Sequence, residues 1–411
     1  MWDCCPNFGA SPQMLEEFSW STGLGVPLSC PNSMLGRQPS GPSDFILLSL
    51  FYSGLIQLSV LLGHFRGQFI ITYRPDRIEI NRLHREMHVP AIAETEAVYY
   101  PILAAIGLPV NLLAIVILSR GKCGLSKCIT RYLVAMATAD LLVIVCNVIL
   151  YRIAHLYWGD TFLFYTPVCR FILFLAPTAT DSSVWLTVAF TFDRFVAISC
   201  QKLKTKYCTE KTSLVIIVTL SALFGLKNIP RPFVYVPYPY VTINNIPWGC
   251  LVSSQFYILP TWIAFSWIEQ LLTPLLPFCL ILLFNALTVR RILVASRARR
   301  SLRDLSNGEN DKDPEMKNRR RSIVLLFAIS GSFILLWMTT VVYFLYYRIS
   351  GVFHRRSLFN PFATFEQAGI LLQLLSSCTN TAIYTVTQSK FREELLNVIK
   401  YPFTLIGKLV K

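Results

Sequence analysis

The sequence predicts an all-α membrane protein, a bundle of seven membrane-spanning helices followed by a short amphipathic helix lying in the membrane interface. Three observations carry this. Of 411 residues, 54% are hydrophobic and only 15% charged, against roughly 25% charged in a soluble domain. The apolar residues fall in seven blocks, approximately 98–118, 132–154, 168–198, 212–230, 263–289, 322–347 and 365–387. About 20 such residues cross a hydrocarbon core. The net charge of +15 is concentrated in short connectors between the blocks, so it reads as topology-setting charge and not as a nucleic-acid surface.

Residues 1–97 read as an extracellular N-terminal region. The first 44 are rich in Pro, Gly and Ser and read as disordered. The apolar stretch 45–63, FILLSLFYSGLIQLSVLLG, admits three readings: an internal signal or anchor, an extra span, or a stretch absent from the mature protein. Residues 64–97 balance five Arg against five acids and read as an exposed linker.

The seven blocks make up a core over 98–387. The connector after block one, SRGKCGLSKCITR, holds four basic residues and no acid. The one after block three, QKLKTKYCTEK, is Lys-rich with a single Glu. The segment from Arg290 to Arg321 has eleven basic residues against five acids. These three share one side, which the positive-inside rule makes cytoplasmic. Seven spans then put the N-terminus outside and the C-terminus in the cytoplasm. Block three is the strut of the bundle. Its only charges from Cys169 to Cys200 are Arg170, Asp181 and the Asp193-Arg194 pair. At 1.5 Å per residue Cys169 and Arg194 lie about 37 Å apart, at opposite membrane faces. In 388–411, Phe391, Leu395 and Val398 recur at helical spacing, which predicts the interfacial helix and a short cytoplasmic tail.

The intramembrane polar residues follow an ordered pattern: Asn111 in block one, Asp140 in block two, Ser183 and FDRF (192–195) in block three, Pro277 and Asn285 in block five, Phe333 and Trp337 in block six, and NTAIY (380–384) in block seven. In that order and spacing they resemble the rhodopsin-like (class A) G-protein-coupled receptors. FDRF resembles the D-R-Y signature, NTAIY resembles N-P-x-x-Y with Thr381 for Pro, and LLWMT resembles C-W-x-P with Thr339 for Pro. The nearest-looking branch is orphan receptors thought to sense aromatic amino acids.

The resemblance implies a receptor in the plasma membrane that passes binding of an extracellular small molecule or peptide to a cytoplasmic heterotrimeric G protein. Asp193, Arg194, Asn285 and Tyr384 would form the switch, and Phe333, Trp337 and Asn380 the activation core. Adjacent residues on a helix diverge by about 100°, so Asp193 and Arg194 are expected to pair loosely. No acid stands at the base of block six, where Arg319 occupies the family's clamp position. The clamp is therefore expected to be absent or displaced to Glu315, with some basal activity. Asp140, Ser183, Ser377 and Asn380 would be either a sodium site, as in the family, or a dry hydrogen-bonded cluster. No other cofactor is implied. Cys169 and Cys250 are the cysteines that the topology puts outside beyond the N-terminal three. The oxidising exterior suits a disulfide, and the family makes the same bond.

Ligand-pocket candidates in the outer halves are Arg152, His155, Pro177, Thr180, Asp181, Trp337, Thr340 and Gln373. Asp181 would take a ligand amine or bond a neighbouring helix. The branch's arginine after the block-six motif is Thr340 here, leaving Arg152 to meet a carboxylate or to snorkel. Two other functions remain open: a secondary transporter, which would show repeated halves, and a receptor fold that binds without signalling, which the missing prolines and Asn285 allow. Catalysis is not indicated. Twelve cysteines contain no CxxC pair, the five histidines are dispersed, and no phosphate loop occurs.

Overall fold

The computed structural model describes residues 78–157, 161–238, 242–243, 246–305, 314–349 and 361–409. Residues 1–77, including the apolar stretch 45–63, lie outside the described residues. Everything described belongs to the compact unit Ser53–Lys411.

The chain is mostly helical. Helix α1 is Ile78–Ser119, beginning within the stretch expected to be linker. Helix α2 is Lys127–Tyr157, opened by Ser126, whose side chain accepts from the Ile129 amide, and widened to π-helical turns over Ile144–Ile153. Helix α3 is Thr166–Ser199, with Pro167 in its first turn, where a missing N–H costs nothing. A short α4, Gln201–Tyr207, leads to α5, Glu210–Asn228, capped by Thr209. Helix α6 is Pro260–Arg297, interrupted at Leu271–Leu275. Helix α7 is Pro314–Ile349, α8 Pro361–Thr387 and α9 Ser389–Leu409.

Six helices among the described residues are long and apolar enough to cross a membrane; in α1 that segment is Glu94–Ser119. Helix α8 falls outside this group by composition. Its Gln373, Ser376, Ser377, Thr379, Asn380 and Thr381 dilute the apolar residues, and several of them line the bundle interior.

Burial fixes which helix is central. In the most apolar window of α3, 61% of residues are buried, against 17% for α5. Helix α3 packs on every side, while α5 turns Leu214, Val215, Val218, Leu223 and Leu226 outward. Without water to drive them inward, such side chains are at home in lipid. One cluster, at the Arg194 end, joins Tyr132, Met136, Phe190, Leu325, Tyr384 and Phe391. A second joins Tyr100, Ile144, Val148 and Leu374, and a third packs Val184, Val188 and Ile281 against Phe333 and Trp337.

Two details depart from the sequence expectation. The all-α reading missed the four two-residue strands that stand among the described residues between α5 and α6. Tyr235–Val236 pairs antiparallel with Leu251–Val252, and Thr242–Ile243 with Ile246–Pro247. Short strands carry little periodicity for a sequence pattern to reveal. Gly249 in this loop has φ 83°, and a Cβ there would strike the Tyr238 ring. The second detail is a break in α6, which the sequence reading did not place. It falls at Thr273, whose φ and ψ of −153° and 107° precede Pro274.

Candidate functional site

Three polar nodes are strung along α3. At one end, Cys169 and Cys250 form a disulfide with their Cα atoms 6.4 Å apart. Thr166 donates its hydroxyl to the Gly249 and Pro247 carbonyls at 2.8 and 3.0 Å, and Arg170 reaches the Tyr235 carbonyl at 2.9 Å. The strand-bearing loop is thus sewn to the top of α3 by a covalent bond and three side-chain contacts.

The middle node is Asp140, fully buried. One carboxylate oxygen accepts from Ser183 at 2.5 Å and the other from Asn380 at 2.8 Å. Helices α2, α3 and α8 therefore meet at one acid. Ser377 is near but engaged differently. Its backbone carbonyl accepts from Asn111 at 2.8 Å, tying α1 to α8, while its side chain faces a central cavity. Ser183 and Asn380 line the same narrow cavity, which has room for about one water-sized occupant. Phe333 and Trp337 stack with ring centroids 5.2 Å apart, and the Trp337 indole donates to Ser376 at 3.2 Å.

The far end carries Asp193 and Arg194, with 1% and 5% of their surface exposed. The pair is tight, where a loose one was expected. The Arg194 Nε donates to Asp193 at 3.0 Å, and its Nη2 closes on the same oxygen. Burial explains the difference, because a low-dielectric site strengthens a charge pair that water would loosen. The other Asp193 oxygen accepts from the Cys128 thiol at 3.2 Å, and its backbone carbonyl accepts from the Cys208 thiol at 3.7 Å. Cys208 lies in the connector outside the spans. Burial, and then the Asp193 charge, push its thiol up to about 12.

The remaining guanidinium nitrogen of Arg194 meets Ser322 of α7 at 3.3 Å. The sequence reading missed this residue, whose only signal is a hydroxyl directly after the basic run Arg319-Arg320-Arg321. The side chains of Arg319 and Glu315 lie outside the described residues, as does any clamp made by them. Asn285 is not joined to Tyr384. Its side-chain oxygen lies 3.1 Å from the Ser330 hydroxyl of α7. Tyr384 packs edge-on against Phe391 of α9 at 5.9 Å, and its buried hydroxyl makes no hydrogen bond among the described residues.

Of the ligand-pocket candidates, Thr180, Trp337 and Gln373 line the central cavity. The others do not. Asp181, 4% exposed, accepts from Lys227 at 2.7 Å and Asn228 at 2.8 Å, both on α5. Lys227 was not singled out in the sequence, where nothing local links it to Asp181. Arg152 donates to the Tyr100 hydroxyl at 2.6 Å and to Asn147 at 3.2 Å, over the Tyr100 ring. Thr340 packs on Gly369 of α8, and Pro177 stays within α3. His155 lines a second cavity beside the disulfide with Tyr151, Phe164 and Tyr238.

A helical bundle threaded by a buried carboxylate, with an acid–arginine pair at one end and a disulfide at the other, defines a membrane receptor architecture. Comparison with known proteins agrees. The profile of the 7 transmembrane receptor (rhodopsin family) matches residues 110–384. The chain is similar to the FMRFamide receptor of Drosophila melanogaster, 26% identical over 214 residues, 49% of this chain and 38% of that receptor. It is 25% identical to the human G-protein coupled receptor 182 over 331 residues, 78% of this chain and 74% of the relative. It is 24% identical to the mouse "Probable G-protein coupled receptor 142" over 308 residues, 74% and 72% of the two chains.

The chain belongs to the rhodopsin family of seven-transmembrane receptors. It is a G-protein-coupled receptor, a signalling protein and not an enzyme.

Proposed function

We propose that the disulfide end faces outside the cell at the plasma membrane and the Arg194 end faces the cytoplasm. Helix α8 is the seventh span and α9 the interfacial helix, with the C-terminus inside. The three basic connectors support this orientation, since all lie at the Arg194 end. A disulfide between Cys169 and Cys250 suits the oxidising side.

An extracellular small molecule or peptide enters from the disulfide end and rests on Trp337. It shifts the bundle between two states by binding one of them better. A heterotrimeric G protein reads the change at Arg194. The observation that carries this is the double hold on Arg194, by Asp193 on its own helix and by Ser322 on α7. Moving α7 away frees one guanidinium nitrogen for a partner. Asn285 belongs to the same switch through Ser330, and Tyr384 through Phe391.

Asp140, Ser183, Asn380 and Ser377 form the candidate sodium site of the resting state. All offer oxygen, which suits a hard cation, and an ion there offsets a carboxylate charge costly in a bilayer. For the ligand, the stacked Phe333 and Trp337 support an aromatic group. The narrower reading, an aromatic amino acid, rests on the branch resemblance alone. Arg152 is engaged by Tyr100 and Asn147, and Thr340 has no charge.

The test is nucleotide exchange on purified G proteins driven by the receptor in lipid. Arg194→Ala is expected to abolish it at equal receptor amount. Exchange that persists at the wild-type rate overturns the switch.

A further inference from the structure

Two features of the chain meet at Ser322. Its hydroxyl lies 3.3 Å from the guanidinium nitrogen of Arg194 that Asp193 does not take. It also directly follows Arg319-Arg320-Arg321, and no other serine or threonine in the chain is preceded by three consecutive basic residues. The apolar span of α7 begins at Arg320, so Ser322 stands at its edge, half-buried. It is about two turns from the start of the helix at Pro314.

Arginines two and three places before an acceptor hydroxyl are what a basophilic protein kinase reads, because its acidic cleft selects substrates by charge. Such a cleft takes an extended peptide, so only the first two turns of α7 have to open. Movement of α7 away from Arg194 withdraws the hydroxyl from its partner and offers it to the enzyme.

A phosphate on this oxygen changes the contact with Arg194. The hydroxyl is neutral, whereas a phosphoserine carries about −1.5 to −2 at pH 7 and three acceptor oxygens. Guanidinium–phosphate pairs are charge-assisted and often bidentate. The phosphate oxygens stand one bond beyond phosphorus, within reach of the nitrogen that the hydroxyl already meets. Asp193 does not oppose this. Its carboxylate is taken by the other two nitrogens of Arg194 and by the Cys128 thiol. Arg194 would then be held between two anions, one on α3 and one on α7. Exposed Arg320 and half-buried Arg321 add positive charge beside the site.

We propose that Ser322 is a phosphorylation site for a basophilic cytoplasmic kinase, and that its phosphate pairs with Arg194 and clamps α7 to α3 in the resting state. In the transfer the Ser322 oxygen bonds the γ-phosphorus of ATP and the bond from that phosphorus to the β-bridging oxygen breaks. ADP leaves, and the hydroxyl proton passes to a carboxylate of the kinase. This rests on the orientation and the Arg194 switch proposed above, and gives that switch a means of regulation.

The test uses the purified full chain in lipid nanodiscs, with the catalytic subunit of cAMP-dependent protein kinase and ATP. Peptide mass spectrometry should find phosphate on Ser322, added about tenfold more slowly in the Arg319→Ala/Arg320→Ala variant. Phosphorylation should raise the thermal midpoint of the wild type. It should not raise that of Arg194→Ala, judged against its own unphosphorylated midpoint. Basal exchange on G proteins should fall several-fold and return with phosphatase. In Ser322→Ala, which keeps every other acceptor, the kinase should leave exchange as it was. An unmodified Ser322, or a phosphate that leaves the wild-type midpoint unchanged, overturns the inference. Exchange that rises on phosphorylation overturns the clamp. A midpoint raised through Arg194 with exchange unchanged overturns the switch and leaves the site and its pairing standing.

Discussion

Asp193 accepts four contacts from three residues. Its carboxylate takes two nitrogens of Arg194 and the Cys128 thiol, and its carbonyl takes the Cys208 thiol. The Cys208 thiol is raised by burial and by this carboxylate, so it stays protonated well above neutral pH. Asp193→Asn removes the charge that raises it, lowers the pKa and increases the thiolate fraction. Maleimide labelling of Cys208 at pH 8, followed by peptide mass spectrometry, should therefore be slow in the wild type and faster in Asp193→Asn. Asp181 presents a second test. Lys227→Met leaves a buried carboxylate without its cation, which should destabilise the protein by about 3–5 kcal/mol. The readout is the thermal midpoint in nanodiscs. A midpoint unchanged by Lys227→Met would mean that the pair is not formed. Neither Lys227, the partner of Asp181, nor Ser322, the partner of Arg194, could be found from the sequence. Lys227 and Asp181 are 46 positions apart, and Ser322 and Arg194 are 128 apart, so no local period links them.

At the scale of elements, six of the seven blocks coincide with helices long and apolar enough to cross a membrane, because lipid demands long apolar helices with internally satisfied backbones. The irregularities were not legible in the sequence. Block five holds Pro274 and Pro277, and sequence favours neither as the break. In the fold the break stands beside Trp185 of α3, whose indole donates to the Leu272 carbonyl at 3.0 Å while its ring stacks on Phe224 of α5. A broken helix leaves carbonyls without amide partners, and a neighbouring donor satisfies one of them. Trp185→Phe keeps the ring and removes the donor. It should cost about 1–3 kcal/mol in the unfolding free energy measured in a detergent–denaturant titration, and a loss near zero would mean that the carbonyl finds another donor. Helix α8 makes the complementary point: the polar residues that serve Asp140 and the cavity are those that lower its hydropathy.

For the whole molecule, the described contact of Arg194 on α7 is the neutral Ser322 hydroxyl, where the sequence reading had a clamp absent or displaced to Glu315. A hydroxyl holds a guanidinium less firmly than a carboxylate does. Basal exchange on G proteins should therefore rise several-fold in Ser322→Ala and fall below wild type in Ser322→Glu. Equal basal rates in all three would remove Ser322 from the switch. Sodium should act on the same balance if it occupies the Asp140 node. Raising NaCl at constant ionic strength should lower basal exchange in the wild type and leave Asp140→Asn unaffected.

The sequence by itself determined the membrane class, the positions of six apolar helices, the charge asymmetry of the connectors and the ordered residues that mark the family. These follow from composition and local spacing, which the bilayer reads directly. Tertiary structure alone decided what each buried charge touches. It assigned Asp181 to Lys227, Arg194 to Asp193 and Ser322, and Arg152 to Tyr100, and it left Gln373 facing a cavity without ionisable walls. A charge in low dielectric must find its partner wherever packing brings one within about 3 Å, and that distance is a property of the folded bundle, not of position along the chain.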